Sequence, residues 1–503
     1  MFAKVKSLTL NGLTGEVIDV ETDVNNGLPC FDIVGLADTA VKEAKDRVTF
    51  AIKNSGRKIP SKKITVNLAP AFVKKEGSSL DLAIAISLLT ATEQLVPCEE
   101  KYIFIGELSL DGSLRRVNGV LPIIISAREN SFEKVILPSA NVKEASYVEG
   151  VNIFGANSLK EVINHLSGES LLTKAENTEY SVANNDLVYA SDISLVKGQK
   201  TAKRALEIAV AGGHNILFVG APGTGKTMLA KCIPTIMPDM TFEEALETTK
   251  IHSVAGYVDD KDGIVKQRPF RSPHHTATTV AITGGGSKLK PGEISLAHNG
   301  VLFLDEMPEY QRSTLECLRQ PLEDRVISVS RANGKAVYPA NFMLCGSMNP
   351  CPCGNYGSLD KVCTCSPQQI TRYKAKISGP LMDRIDIHVQ VDEVKYAEIT
   401  SEEQNETSKE VKRRVNRTRQ IQLQRFKDEG INTNAEMGEK HLKKYCKLSS
   451  ECESVLENAY KNLGLSPRAR SRIIKVARTI ADMEVYEDIQ VKHILEAIGY
   501  RQN

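Results

Sequence analysis

Short apolar runs alternate with amphipathic stretches along most of this 503-residue chain, and the period of the pattern shifts from place to place. Within residues 1–166, strand signals in VKSLTL, GEVIDVETDV, KKITVNL, YIFIGELSL, KVILP and VNIFG surround three helical stretches. These are ADTAVKEAKDRVTFAIKNSG, a run from Leu80 to about Thr92, and one near Ile123 to Glu129. The pattern predicts a complete α/β domain with a mixed sheet. Residues 167–190 are polar and aperiodic, as expected of a linker. A second α/β region, 191–393, holds an amphipathic helix, the apolar run after Asn215, and two further apolar runs, Val301–Leu304 and Phe342–Cys345. Residues 394–503 are charged and helical. Over 401–429, Glu402, Glu403 and Glu410 precede Lys412, Arg413, Arg414, Arg417, Arg419 and Arg425, an order that suits the dipole of one long helix with a solvated face. Farther on, Ser466 is placed to cap a helix that opens at Pro467.

The stretch NILFVGAPGTGKTMLAKCI carries the chemistry. Gly220, Ala221, Pro222, Gly223, Thr224, Gly225, Lys226 and Thr227 form a G-x-x-x-x-G-K-T loop between a strand signal and a helix signal. Its glycines let successive N–H groups turn around an anion at a helix N-terminus. Lys226 then faces the β and γ phosphates of ATP, and Thr227 supplies a hydroxyl for Mg²⁺. Val301–Leu304 reads as a buried parallel strand that ends in Asp305, suited to hold Mg²⁺, and Glu306, suited to orient or deprotonate water.

Other motifs lie around this pair. Gly, His and basic residues crowd the segment after Ile251, including RPFRSPHHTATT, and predict functional loops. Asn333-Gly334 predicts a hairpin turn within 325–345, with Arg331 and Lys335 beside its tip. Asn349 follows the third apolar run, at the end of a buried strand where a polar side chain reaches a ligand site. Cys351, Cys353, Cys363 and Cys365 form two close pairs around a glycine-bearing loop, a set able to converge on Zn²⁺, although Cys-x-Cys is tighter than the usual spacing.

Composition removes some classes. A net charge of +2 gives no global argument for nucleic acid, so any such surface is local. The N-terminus shows no signal-peptide run, and no apolar stretch is long enough to cross a membrane. A cytoplasmic protein without membrane contact is expected. Eleven cysteines, an odd number, argue against a disulfide framework.

Three resemblances sharpen the reading. EGSSLD at 76–81, followed by GELSLDGSLRRVNGVLP, is similar to the proteolytic domain of Lon-type proteases, which implies a fold of the ribosomal S5 class. Ser79 matches the Lon nucleophile, but no lysine occurs between Lys101 and Lys134, and the dyad position falls near Leu121 or Pro122. Ser79 is expected instead to cap the helix at Leu80 in a non-peptidase domain. SDISLVKGQKTAKRALEIAVAGGH resembles the lead-in of AAA+ ATPases, in which the loop holding Val196 and Gln199 lies against adenine. Finally, GAPGTGKT, VLFLDE, SMNPCPCG and ISGPLMDRIDIHV together resemble the Mg-chelatase-related AAA+ ATPases of the YifB/ComM type over nearly the whole chain.

That resemblance implies a Lon-like N-terminal domain without the dyad, a P-loop AAA+ core with a parallel sheet, and a helical C-terminal lid. It implies that Asn349 is a polar sensor, Arg384 the finger entering a neighbour's site, and Arg468 the second sensor arginine. Arg384 lies beside Asp383 and Asp386, so a local salt bridge is the other reading. The implied protein is a homo-hexameric ATPase acting on single-stranded or branched DNA as a helicase that promotes branch migration. Rival readings are a chelatase-type motor with a metal-insertion partner, and an ATP-dependent peptidase or protein remodeller.

Overall fold

The computed structural model describes residues 1–97, 101–182, 191–286, 289–331, 334–358, 361–394, 398 and 405–501. The first two strands, Phe2–Asn11 and Thr14–Asn25, alternate buried and exposed residues and pair antiparallel through the turn at Gly12–Leu13. They lie in a seven-stranded mixed sheet, in the order 30–34, 63–69, 14–25, 2–11, 102–104, 134–138, 152–156. Helix Asp81–Ala91 is buried along its whole length, between this sheet and helix Thr39–Asn54. Two helices that the pattern did not announce, Val142–Ala145 and Leu159–Leu166, complete the unit.

Ser79 does not cap the long helix. The helix begins at Asp81 with Leu80 at the cap position and no side-chain bond there. The Ser79 carbonyl accepts the Gly106 N–H at 2.9 Å, and the Asp81 N–H closes a turn onto the Ser78 carbonyl at 3.2 Å. Tied on both sides, the segment enters the helix through a turn instead of a hydroxyl cap.

Residues 167–182 contain no helix or ladder strand, yet they are held down. The Ala175 N–H bonds the Ile153 carbonyl at 2.8 Å, and the Tyr180 hydroxyl bonds the Met240 carbonyl at 3.0 Å. The rest of the expected linker lies outside the described residues.

Five short strands form a wholly parallel sheet in the order 270–271, 301–304, 343–348, 216–219, 387–390. Its central strands 301–304 and 343–348 are buried along their whole length because both faces are covered. One apolar core runs from this sheet, through Ile216 and Phe218, into the C-terminal helices at Ile473, Ala477 and Ile480. Among those helices, Pro467–Met483 starts as the sequence predicts, with the Ala469 N–H donating to Ser466 Oγ at 3.2 Å.

The helix Ser408–Arg425 is less solvated than its charge suggests. Lys412 is buried and bonds Asp239 at 2.6 Å, Arg419 donates to the Val210 carbonyl at 3.1 Å, and Arg425 grips the buried Asp482. The helix wedges against 200–212 and 226–236, so its long cations cover carbonyl and acid groups there. Glu402 and Glu403 lie outside the described residues.

The two sheets are joined by a polar seam. The Gly119 N–H bonds the Ser253 carbonyl at 3.0 Å, Arg116 bonds the Val258 carbonyl at 2.8 Å, and the Ser253 hydroxyl bonds the buried Glu144 carboxylate. At the other end, Gly12 takes φ 63° and lies so close to the hairpin 326–339 that a Cβ would sit 3.3 Å from that of Ala336. None of the described helices is long and apolar enough to cross a membrane.

Candidate nucleotide-binding and hydrolysis site

In a parallel sheet all strand carboxyl ends fall on one edge, and there the loops after 216–219, 301–304 and 343–348 meet. Gly223 and Gly225 take φ of 82° and 93°, which favour glycine, and helix Lys226–Ile236 starts immediately behind them. Gly220 is required by space, since a Cβ there would lie 2.2 Å from the Val391 carbonyl oxygen. The loop thus presents backbone N–H groups at a helix N-terminus, a built anion cradle.

Lys226 is 8% exposed, and burial lowers its pKa against the opposing pull of Asp305 and Glu306. Its ammonium donates to the Gly220 and Ala221 carbonyls, each at 2.7 Å, and to Asn349 Oδ1 at 3.3 Å. The P-loop and the end of the strand 343–348 therefore share one cation. Thr227 Oγ1 donates to Asp305 Oδ2 at 2.9 Å, so the two groups expected to hold Mg²⁺ already converge. A hydrogen bond to a charged acceptor of this kind stabilises by roughly 1.5–3 kcal/mol.

Ser347 was not singled out by sequence, yet it completes the set. Its hydroxyl donates to the Asp305 carboxylate and accepts the Glu306 N–H at 3.1 Å. Glu306 itself sits in the left-handed region at φ 50°, which turns its side chain out of the strand direction. His275 belongs to the Gly-, His- and basic-rich segment after Ile251 and has no further sequence signal of its own; its Nδ1 lies 3.8 Å from Glu306 Oε2. Gln199 Nε2 donates to the Thr224 carbonyl at 3.3 Å and the Asp392 carbonyl at 2.5 Å, tying the lead-in loop to the P-loop. Val196 is 3% exposed and belongs to the apolar core.

The four cysteines converge. Cys351, Cys353, Cys363 and Cys365 place their sulfurs within 4.8 Å of one another. Three separations are 3.3, 3.7 and 3.6 Å, against roughly 3.8 Å for tetrahedral thiolates around zinc. The Tyr356 N–H points to Cys351 Sγ at 3.3 Å. Backbone N–H groups of Asn355 and Thr364 pull the Cys353 thiol down to about 6, whereas at Cys363 and Cys365 a backbone hydrogen bond is outweighed by desolvation and the neighbouring sulfurs, which push the thiols up, so one thiolate forms readily and these two resist. The cluster abuts the P-loop, since a Cβ on Gly354 would lie 2.6 Å from Pro222 Cδ.

The two named arginines lie elsewhere. Asp386 N–H bonds the Asn215 carbonyl at 3.0 Å, so Arg384 sits at the amino edge of the sheet, opposite the P-loop. Four strand residues separate the edges by roughly 13 Å, beyond the reach of Arg384 toward the P-loop of the same chain. Its guanidinium pairs with Glu323 and donates to the Pro380 carbonyl at 2.7 Å. Arg468 is exposed on the same side, one helical turn before Arg472, which bonds the Arg384 carbonyl and Asp386. In the hairpin, strands 326–331 and 334–339 pair antiparallel, with Ile327, Val329, Ala336 and Tyr338 buried and Lys335 exposed. Asn333 and the side chain of Arg331 lie outside the described residues.

Comparison with known families and proteins agrees with this geometry. Residues 192–399 match the family "Magnesium chelatase, subunit ChlI", 20–141 match "Subunit ChlI of Mg-chelatase", and 405–501 match its "subunit ChlI C-terminal" region. Competence protein ComM of Haemophilus influenzae is 44% identical over 505 residues, covering 99% of this chain and 97% of that protein. YifB of Escherichia coli is 43% identical over 97% of this chain and 95% of its own length. Lon protease 2 of Bacillus subtilis is 25% identical over 126 residues, 25% of this chain and 22% of that protein. The chain belongs to the YifB/ComM family of Mg-chelatase-related AAA+ proteins.

Proposed function

We propose that this protein is an ATP-hydrolysing motor that acts on DNA as a hexameric ring, promoting branch migration in recombination or natural transformation. The observation that carries the reading is the convergence of Lys226, Thr227, Asp305, Glu306 and Asn349 at one edge of the parallel sheet. The name of the Haemophilus relative, a competence protein, supports the transformation context. Thr227 and Asp305 would hold Mg²⁺, which supplies charge neutralisation across the β and γ phosphates when bound. Lys226 binds the phosphate oxygens, Glu306 orients water and takes its proton, and Asn349 holds that water in line. Gln199 fixes the lead-in loop beside the base.

Within this reading the chain divides at 1–166, 167–190, 191–393 and 394–503. The first unit is Lon-like with the ribosomal S5 type of fold, and the last is the lid. Arg384 serves a neighbouring subunit, a role supported by its place across the sheet from its own P-loop, and Arg468 is the second sensor arginine of the lid. Arg331 and Lys335 contact DNA. The cysteine cluster holds a structural zinc, supported by its sulfur separations.

A chelatase-type partner assembly is the second reading, favoured by the three chelatase matches. The peptidase reading lacks a base: among the described residues no ammonium bonds Ser79. ATP turnover measured with and without single-stranded, duplex and branched DNA separates these, since only the DNA motor is stimulated by DNA.

A further inference from the structure

Glu306 has a freedom problem. Its side chain is 59% exposed, and an unrestrained glutamate at this exposure populates several rotamers, few of which aim the carboxylate at a water in line with a γ phosphate. Among the described residues the basic side chain beside it is His275, with Nδ1 3.8 Å from Oε2.

The loop that presents His275 is fastened to the same structural unit as Glu306. Ahead of it, Phe270–Arg271 pairs parallel with Val301 and Leu302, and Phe270 stacks on Phe303 at 5.9 Å, so the loop leaves the edge strand that lies beside 301–304, the strand leading to Glu306. In its middle, the hydroxyl of Tyr310, 5% exposed, donates to the Pro273 carbonyl at 2.5 Å. Tyr310 closes the 3₁₀ turn Met307–Glu309 that follows Glu306. The His275 ring meets Tyr310 edge-on at 6.4 Å, and the His274 ring lies 4.1 Å from His275. Behind it, Thr279 and Thr314 share a hydroxyl bond at 3.0 Å. Strand, turn and loop therefore form one body, with the imidazole and the carboxylate facing each other across it.

We propose that His275 is a positioning residue for Glu306: its ring nitrogen holds the carboxylate in the orientation that receives the proton of the attacking water. The 3.8 Å separation is longer than a hydrogen bond, in keeping with catalytic contacts that tighten in the reacting complex. The proposal rests on the hydrolytic role given to Glu306 above.

The test uses the full chain with His275→Ala and with His275→Asn, whose amide nitrogen replaces Nδ1. Steady-state ATP kinetics are measured beside binding of a fluorescent ATP analogue and thermal melting. His275→Ala should lower kcat by roughly tenfold, the cost of restoring rotamer freedom to one glutamate, with KM, nucleotide affinity and melting unchanged. His275→Asn should recover most of the lost rate, and His275→Ala should have no further effect in a Glu306→Gln background. Wild-type kcat in His275→Ala, an equal loss of nucleotide affinity, or no recovery by asparagine would each overturn the proposal. If Glu306→Gln itself turned over ATP normally, the underlying hydrolytic assignment would fail. A slow Glu306→Gln beside a normal His275→Ala would remove His275 alone.

Discussion

Arg384 and Glu323 form an ion pair with two unlike ends: the guanidinium is 6% exposed and the carboxylate 51%. The arginine is held by an acid that water can reach, and Arg468 and Arg472 also bear on that acid. Arg384 is thus a buried arginine held on the side of the sheet away from its own P-loop. Arg384→Ala is expected to bind ATP normally and hydrolyse it poorly, losing roughly 10³-fold in rate as arginine fingers do. Mixing it with Lys226→Ala should restore part of the turnover, because each variant supplies what the other's interface lacks. Turnover in the mixture no greater than in its components would place the site within one subunit.

Asp386 is the anchor behind that arginine. It is buried, accepts the Asn215 N–H at 3.0 Å, and pairs with Arg472 and with His214 at 3.6 Å. Burial would raise its pKa, but Arg472 and then His214 outweigh burial and hold it well below the usual carboxylate range. A lowered carboxylate contributes stability that is complete above its unfolded pKa and lost as pH falls toward its folded value. Asp386→Ala should therefore cost up to about 3 kcal/mol near neutrality, by leaving the half-buried Arg472 and the Asn215 N–H without their acceptor. The gap from wild type should narrow below about pH 4, which urea melts at several pH values will show.

Zinc should copurify at one ion per chain, held by Cys351, Cys353, Cys363 and Cys365. Because Gly354 abuts Pro222, chelation should weaken nucleotide binding as well as loosen the loop. Metal content below about a tenth of an ion per chain, in protein purified without chelator, would exclude the site.

The hairpin offers a separate test of the DNA surface. Its inner face is buried through Ile327, Val329 and Tyr338, while Lys335 is exposed beside the tip. Repeated around a ring, Arg331 and Lys335 would line an axis with positive charge despite the chain's net charge of +2. Replacing both with alanine should leave basal ATP turnover intact and reduce DNA stimulation and strand displacement together. Loss of assembly, seen by light scattering, would mean that the hairpin serves the subunit contact instead.

The parts of the site that were legible in the sequence are those written contiguously. The P-loop residues and Asp305–Glu306 each follow an apolar run, and a parallel sheet carries all such run ends to one edge. The cysteine spacing was legible for the same reason. Ser347 and His275 were not, because their roles depend on which strand lies beside which: Ser347 meets Asp305 across the pairing of 301–304 with 343–348. The depth of Arg384 was hidden too, since Glu323 reaches it from another element. Ser79 failed as a cap because its backbone is drawn to Gly106, a tertiary contact that no local pattern encodes. The charged helix 408–425 misled in the same way, its cations answered by acids and carbonyls far along the chain.

The central claim is that ATP hydrolysis at Glu306 is coupled to DNA. The most direct measurement is the ATP turnover rate of the wild type and of Glu306→Gln, each without DNA and with single-stranded, duplex and branched substrates. DNA is expected to raise the wild-type rate several-fold, and Glu306→Gln to bind ATP yet lose roughly 10²-fold or more in turnover on every substrate. A wild-type rate indifferent to all three DNA forms, or a Glu306→Gln rate equal to wild type, would contradict it.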